Sequence, residues 1–320
     1  MLAAYAHAID RDDPLSCLSV GEIEPGRTPD DWVSVEVVAA SMNHHDLWAL
    51  KGQALQADRL PMVLGSDAAG LTADGREVIV HAVIGDASHG DETLDPRRSL
   101  LSEIYPGTLA QQVRVPAGNL VDKPASLDWA AAACLPTAYL TAYRMIATHS
   151  ATSEGDVLVV QGAAGGVATA AIILGKALGR TVWVTSRSAA KREFASSLGA
   201  DAVFETGERL PGKADAVIET VGAATWDHSL RSLRPGGRIV VSGATSGPNP
   251  PADLNRVFFL QLSIVGSTMG TIGELRELVA LLDRTGARPV IDSVRPLAEA
   301  RSAFEKLAAG DVQGKLVLAP

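Results

Sequence analysis

The hydrophobic rhythm of the chain changes partway along. From Met1 to about Pro124, apolar or alternating runs at Trp32–Ala40, Gly75–Val83 and Thr108–Val115 stand between turn formers, a pattern that predicts a mainly β region. From about Leu127, continuous apolar runs take over at Val157–Gln161, Thr181–Thr185, Ala216–Glu219, Arg238–Ser242 and Ser263–Gly266, with helical segments between them. Such runs predict buried strands. Parallel strands cannot be joined by tight hairpins, so this alternation predicts right-handed crossovers and a doubly wound parallel sheet of Rossmann type. The tail from Ala287 to Pro320 predicts a strand, a helix over Leu297–Ala308 closed by Gly310, and a last run Lys315–Leu318. The polar stretch Gly85–Pro106 predicts an exposed lobe or lid.

Composition narrows this to an α/β protein. The 320 residues are 47% apolar but only 4% aromatic, which suits small-faced helices on closely packed parallel strands. The net charge is −9, and the 28 Lys and Arg residues are scattered, so no footprint for nucleic acid or anionic lipid exists and a bound phosphate must be held locally. Cys17 and Cys134 are far apart and outside any CxxC, which argues against a disulfide framework and for a reducing compartment. No basic leader and no long uninterrupted apolar run is present, so a cytoplasmic protein with no membrane partner is expected.

The strongest local signal runs from residue 156 to 187. Val157–Gln161 leads directly into Gly162-Ala163-Ala164-Gly165-Gly166-Val167-Ala168 and then a small-residue helix ended by Gly179. A pyrophosphate needs close backbone approach at the turn and the unpaired amides at a helix N-terminus; Gly165 and Gly166 supply the first. Ala168 stands where the dinucleotide fingerprint tolerates Gly or Ala, whereas Ala163 departs from the usual first glycine, a departure Gly162 can relieve. Ala163, Ala164, Gly165, Gly166 and Val167 are therefore the candidate phosphate cradle. At the end of the next strand, where an NAD enzyme carries an acidic residue for the ribose 2′-hydroxyl, stand Ser186 and Arg187, with Lys191 shortly after. A hydroxyl and two cations suit a 2′-phosphate, so NADPH is the expected cofactor. The same Ser-Arg-Ser could also serve simply as a helix cap.

The chain resembles the medium-chain dehydrogenase/reductase superfamily, in the zinc-free branch near the quinone oxidoreductases. The resemblance runs nearly end to end. Its anchors are Asn43 to Gly52, Pro61 to Gly70, Gly107 to Gln111, Leu135 to Tyr143 and the turn above. It implies a GroES-like catalytic domain over residues 1–125 completed by 286–320, and a Rossmann NADPH-binding domain over 126–285. By the same resemblance Thr141 lies near the nicotinamide, Val221 and Gly222 on the adenosine side, and Gly243, Ala244, Gly266 and Ser267 along the nicotinamide pocket. It also implies a homodimer built at Phe258-Phe259 and the strand Ser263–Gly266. Zinc-dependent members carry Cys, His and a Cys or acidic residue where this chain has Asn43, Ser66 and near Thr137, and four cysteines in the lobe around Gly85–Gly107. Asn, Ser and Thr are poor zinc ligands and the lobe has no cysteine, so no metal is expected.

Without a Lewis acid, oxidation of a simple alcohol loses its usual means of stabilising the alkoxide. Quinones and enones instead accept hydride onto a system whose charge hydrogen-bond donors can hold. A small-molecule quinone or enone is thus the expected substrate, with Asn43 and a backbone amide polarising its carbonyl. The proton would come from His45, Tyr139, Tyr143 or water. The alternatives are an enoyl-thioester reductase of polyketide or fatty-acid metabolism, and an NADPH-binding sensor without chemistry. His44 or His45 could equally pack as wall residues while Asp46 caps a short helix Leu47–Leu50. His81 and His89 carry no assigned role.

Overall fold

Val33–Ser41, which falls on the apolar run read at Trp32–Ala40, becomes a central strand of a seven-stranded sheet in the computed structural model of the chain. That structure describes residues 1–88 and 90–320, with the backbone alone at residue 89, so the His89 side chain lies outside the described residues. The sheet order is Leu120–Asp122, Glu77–Val80, Asp67–Thr72, Val33–Ser41, Lys315–Ala319 and Ile291–Pro296, and Gln112–Val115 also pairs with Val33–Ser41. The alternation has its expected cause: Val35 and Val37 face the core while Glu36 between them is exposed.

The C-terminal strand enters the middle of this sheet. It pairs antiparallel with Val33–Ser41 and parallel with Ile291–Pro296. Leu316, Leu318 and Phe304, the last from the helix Ala300–Ala309, share one core with Leu18, Leu50, Leu64 and Leu109. Each such fully buried side chain contributes roughly 1.5–3 kcal/mol relative to exposure, so the tail is integral to this unit. Gly310 ends that helix in the left-handed conformation.

The chain divides into two compact units: residues 1–138, 269–284 and 288–320 in the first, and 139–268 and 285–287 in the second. These limits differ from the expected 125/126 and 285/286 for physical reasons. The helix Trp129–Ala133 packs on strands Val33–Ser41 and Asp67–Thr72. The helix Ile272–Thr285 is tied to the first unit at both ends: Ile272 N–H donates to Glu92 Oε1 (2.5 Å), and Asp283 accepts from the Ser126 hydroxyl (2.5 Å).

The Gly85–Pro106 stretch is less exposed than its polarity suggests. Ser99–Leu100 pairs with Val83–Ile84, and Glu92, Thr93, Asp95, Leu101 and Ser102 are buried. Its carboxylates serve the backbone: Asp86 and Asp91 accept from Ser88 N–H and Thr93 N–H, and Asp95 accepts from Asp86 N–H and Arg97 N–H. Asp and Asn favour such turns because the side chain replaces a backbone acceptor.

The second unit holds a six-stranded, wholly parallel sheet in the order Ala202–Phe204, Thr181–Thr185, Val157–Gln161, Ala214–Glu219, Leu233–Val241 and Ser263–Gly266. Numbered along the chain this is 3-2-1-4-5-6, the doubly wound order, with its reversal between Val157–Gln161 and Ala214–Glu219. The reading of Ser263–Gly266 as a buried strand is corrected: it is the sheet's edge, with half of its residues exposed, because no strand among the described residues pairs beyond it. A four-residue apolar run looks alike at centre and edge, since its length says nothing about the second neighbour.

Candidate active site

Gly162 adopts φ +91°, a left-handed conformation that a side chain makes costly, so the turn the fingerprint assigns to its first glycine is made one residue early. Ala163 follows, buried, which accounts for the departure at that position. Gly165 is the N-cap of the helix Gly166–Ala177 and is exposed; a Cβ there would meet nothing within 4 Å, so the space over the helix N-terminus is open. The amides of Gly166 and Val167 in the first turn have no intrahelical acceptor. This cradle fits a pyrophosphate.

The strand ends around it are braced by polar groups that the sequence reading did not single out. Gln161 closes its strand fully buried, accepting from the Thr185 hydroxyl (2.5 Å) and donating to His228 Nδ1 and Ser229 Oγ (3.0 Å each). Glu219 closes the next strand, also with no exposure. It accepts from Val221 N–H (2.8 Å), Gly222 N–H (3.0 Å), Thr225 Oγ and Ser229 Oγ. A carboxylate at the end of an apolar run was the available signal, and its work is to hold the turn at Val221 and Gly222. Gly222 has φ +88°, and a Cβ there would lie 2.6 Å from Gly247 O, so both conformation and space require glycine.

Gly243 and Ala244 follow Leu233–Val241, and Gly266 and Ser267 end the edge strand, all at C-terminal ends of parallel strands, where open α/β sheets bind ligands. Ser242 Oγ and Ser267 Oγ are buried without a partner, two hydroxyls that a ligand could satisfy. Thr141 is nearly buried in the helix Leu140–Tyr143. Ser186 Oγ accepts Ser188 N–H (3.3 Å), Arg187 is exposed, and Arg192 donates to Ser186 O (2.6 Å). Ser188, not Ser186, caps the helix Ala189–Ser197 by accepting Lys191 N–H. Neither the Ser186 hydroxyl hydrogen nor the exposed Arg187 side chain is used in capping that helix.

In the first unit the structure corrects the start of the short helix: it spans His44–Leu50, with Asn43 as N-cap, and Asp46 returns a bond to Asn43 N–H (2.7 Å). Asp46 also accepts Gly65 N–H (3.1 Å). Burial pushes its carboxyl up to about 6 despite these bonds.

The Asn43 side chain is engaged elsewhere. Its Oδ1 accepts from Lys315 Nζ (2.5 Å), and its Nδ2 donates to Asp67 Oδ2 (2.9 Å) and Ser66 Oγ (3.3 Å). Lys315 also donates to Met42 O (2.7 Å) and pairs with Asp67 Oδ2 (3.2 Å), which further accepts from the Ser41 hydroxyl (2.7 Å). Lys315 is 2% exposed and Asp67 not at all, so this is a buried ion pair. Ser66 Oγ then meets Thr137 Oγ1 at 3.0 Å, and Thr137, in the π-helical turn Leu135–Tyr139, is half-buried. Neither Lys315 nor Asp67 stands out in the sequence; the local sign is a charge at the start of an apolar run.

The expectation that Asn43 polarises a carbonyl does not survive this geometry. Both of its N–H groups and its oxygen are already bonded inside the protein. The donor set also does not suit zinc: amide and hydroxyl oxygens are weak ligands, and an ammonium in their midst repels a dication. Among the described residues no three His, Cys, Asp or Glu side chains converge as metal ligands. Burial pushes the Cys134 thiol up to about 12, with the Lys315 charge opposing, and the thiol donates to Ala130 O.

His45 Nε2 lies 3.0 Å from Glu103 Oε1, and His45 Nδ1 is buried without a partner. Burial disfavours the imidazolium, but the bond to Glu103 and the nearby carboxylates of Asp46, Glu103 and Asp67 outweigh it and raise the His45 pKa. For Glu103 burial acts upward, and bonds from His45, Leu100 N–H and Ser99 hold it below the ordinary value. His44 is shifted the other way by burial and by the Lys315 and Lys51 charges. Tyr139, the third candidate for catalysis, has no exposed surface in the second unit, and Tyr143 has little. His81 is buried and lies 3.3 Å from Glu92, off the line of a hydrogen bond.

A β-rich unit with this Asn43 cluster and a doubly wound unit with a dinucleotide turn define an oxidoreductase of the medium-chain dehydrogenase/reductase superfamily, and the chain belongs to that superfamily. Residues 29–125 match the alcohol dehydrogenase GroES-like domain and 166–284 the zinc-binding dehydrogenase domain. The chloroplastic NADPH-dependent alkenal/one oxidoreductase of Arabidopsis thaliana is 30% identical, over 91% of this chain and 72% of its own. A solved NAD-dependent alcohol dehydrogenase superposes with a TM-score of 0.91 at 30% identity, covering 100% of both chains. The 2-octenoyl-CoA carboxylase reductase solved with NADP and 2-octenoyl-CoA gives 0.90 at 26% identity, over 99% of this chain and 87% of its own. No helix among the described residues is long and apolar enough to cross a membrane.

Proposed function

We propose that the protein is a zinc-independent, NADPH-dependent reductase of a quinone or an α,β-unsaturated carbonyl compound. The observation that carries this reading is the Asn43–Ser66–Thr137 donor set around the buried Lys315 charge, which is hostile to zinc and leaves hydrogen bonding as the means of holding a carbonyl oxygen. NADPH would be held by residues 163–167, by Ser186, Arg187 and Lys191 at its 2′-phosphate, and by Thr141, Val221, Gly222, Gly243, Ala244, Gly266 and Ser267 along its length; it supplies a hydride. In an enone the hydride joins the β-carbon, the π pair moves to the carbonyl oxygen, and a proton completes the α-carbon. His45 is the candidate donor of that proton, and its bond to Glu103 favours the protonated form. Tyr139 is enclosed, so its part is to support the surrounding turn.

Nicotinamide absorbance followed with quinones, short enones, enoyl thioesters and alcohols, on protein dialysed against a chelator, tests this. Turnover of enones or quinones is expected, and turnover of alcohols alone, restored by zinc, would overturn it. Turnover confined to thioesters supports the second reading, an enoyl-thioester reductase, which the likeness to the 2-octenoyl-CoA enzyme favours. Tight NADPH binding with no turnover points to a non-catalytic sensor.

The proton-donor role has a pH signature. A histidine whose pKa is raised stays charged further into the alkaline range, so activity should be present at low pH and fall as pH rises through that value. Glu103→Gln removes the largest raising influence, and the alkaline limb of kcat/KM should move to lower pH; an unmoved limb rules His45 out.

A homodimer in the cytoplasm belongs to the same proposal. Phe258 and Phe259 are 60% and 77% exposed and stacked, beside the unpaired edge Ser263–Gly266. A second copy adding its edge strand would cover them. Sedimentation should show a dimer that Phe259→Asp dissociates; a monomer at high concentration would refute this. Two free, buried cysteines agree with a reducing compartment.

A further inference from the structure

Hydrogen-bond polarity in the Asn43 cluster can be read without seeing a single hydrogen. Lys315 Nζ is a donor only, so the Asn43 atom facing it must be the oxygen. Asp67 Oδ2 is here an acceptor from Ser41 and Lys315, so the Asn43 atom facing it must be the nitrogen. Two independent neighbours thus fix the amide the same way round. The second hydrogen of Nδ2 points to Ser66 Oγ, which becomes an acceptor there.

Ser66 is fully buried and its hydroxyl has one other partner, Thr137 Oγ1. Its single hydrogen must go to Thr137, because the opposite sense would leave a buried O–H with no acceptor. Thr137 Oγ1 therefore receives, and its own hydrogen is left for an acceptor outside the cluster. Thr137 is also the least buried member of the chain.

We propose that Thr137 is the group that touches the substrate's carbonyl oxygen, and that Lys315, Asn43 and Ser66 are positioning residues that fix the direction of its hydroxyl. This rests on the reading of the protein as a reductase of conjugated carbonyls. The ligand class is an oxygen acceptor, a ketone, quinone or thioester carbonyl. As hydride joins the β-carbon and the π pair moves to oxygen, Thr137 donates a hydrogen bond to the developing oxyanion and keeps its proton; the α-carbon is protonated separately. The donor chain begins at a buried ammonium, so the bond strengthens where a neutral hydroxyl alone would be weak.

The test compares wild type with Thr137→Val, Thr137→Ala, Thr137→Ser and Ser66→Ala on an enone the wild type reduces, with thermal melts confirming that each folds. Loss of the hydroxyl is expected to lower kcat roughly a hundredfold with little change in KM, as for other oxyanion donors. Thr137→Ser should restore most of the rate, and Ser66→Ala should cost less than Thr137→Val because the hydroxyl remains but loses its fixed direction. Wild-type kcat in Thr137→Val or Thr137→Ala overturns the inference. Should the wild type reduce no enone, the reductase reading fails separately, and the donor is tested by titration with 4-nitrophenolate as an oxyanion probe. Weaker binding by Thr137→Val than by Thr137→Ser then supports the donor, and equal binding overturns it.

Discussion

Lys315→Met is expected to lower the unfolding free energy by about 3–5 kcal/mol, the usual result of removing one partner of a buried ion pair. The reason is what stays behind. Asp67 has no exposed surface and would be left buried with only Ser41 and Asn43 as donors, while Asn43 Oδ1 and Met42 O would lose theirs. The whole pair need not stabilise the fold, since desolvating two ions offsets most of their attraction. The informative partner is therefore Lys315→Met combined with Asp67→Asn, which removes both charges and should recover at least half of the loss. Denaturant unfolding of the single and double variants reads this directly. A single variant within 1 kcal/mol of wild type would mean that the Lys315–Asp67 pair does not hold this part of the fold.

The second large effect concerns cofactor choice. Ser186→Asp with Arg187→Ala replaces a donor by an anion and deletes an exposed guanidinium. Two contacts to a charged phosphate contribute about 1.5–3 kcal/mol each, so the NADPH dissociation constant should rise roughly a hundredfold or more while that for NADH changes little. The geometry permits the experiment because neither side chain caps the following helix: Ser188 does that, and Arg192 holds the Ser186 carbonyl. The double variant should therefore fold, and fluorescence titration of both cofactors reads the outcome. Unchanged NADPH affinity would show that Ser186 and Arg187 do not meet the 2′-phosphate. The likeness to an NAD-dependent dehydrogenase as well as to NADPH-dependent relatives makes this comparison decisive for the cofactor.

The sequence by itself determined the fold class and the nucleotide turn, because both rest on local causes. Apolar runs spaced by helices force parallel pairing, and a strand running into small residues and then a helix makes a cradle whatever the rest of the chain does. Even the imperfect Ala163 was locally accountable, since Gly162 carries the positive φ. Local pattern ran out at the lobe Gly85–Pro106, where polar residues are buried by bonding to backbone, and at Ser263–Gly266, where an apolar run proved to be an edge.

The hydrogen-bonded cluster around Asn43 was decided only by tertiary structure. Asn43 reads as a carbonyl-polarising donor until Lys315, 272 residues away, arrives to occupy its oxygen, and Asp67 and Ser66 take both of its hydrogens. Thr137 reads as a vacated ligand position until Ser66, 71 residues away, fixes which way its hydroxyl points. Hydrogen-bond capacity belongs to the residue, but direction belongs to its neighbours, and here those neighbours are brought together by a C-terminal strand inserted into the middle of an N-terminal sheet.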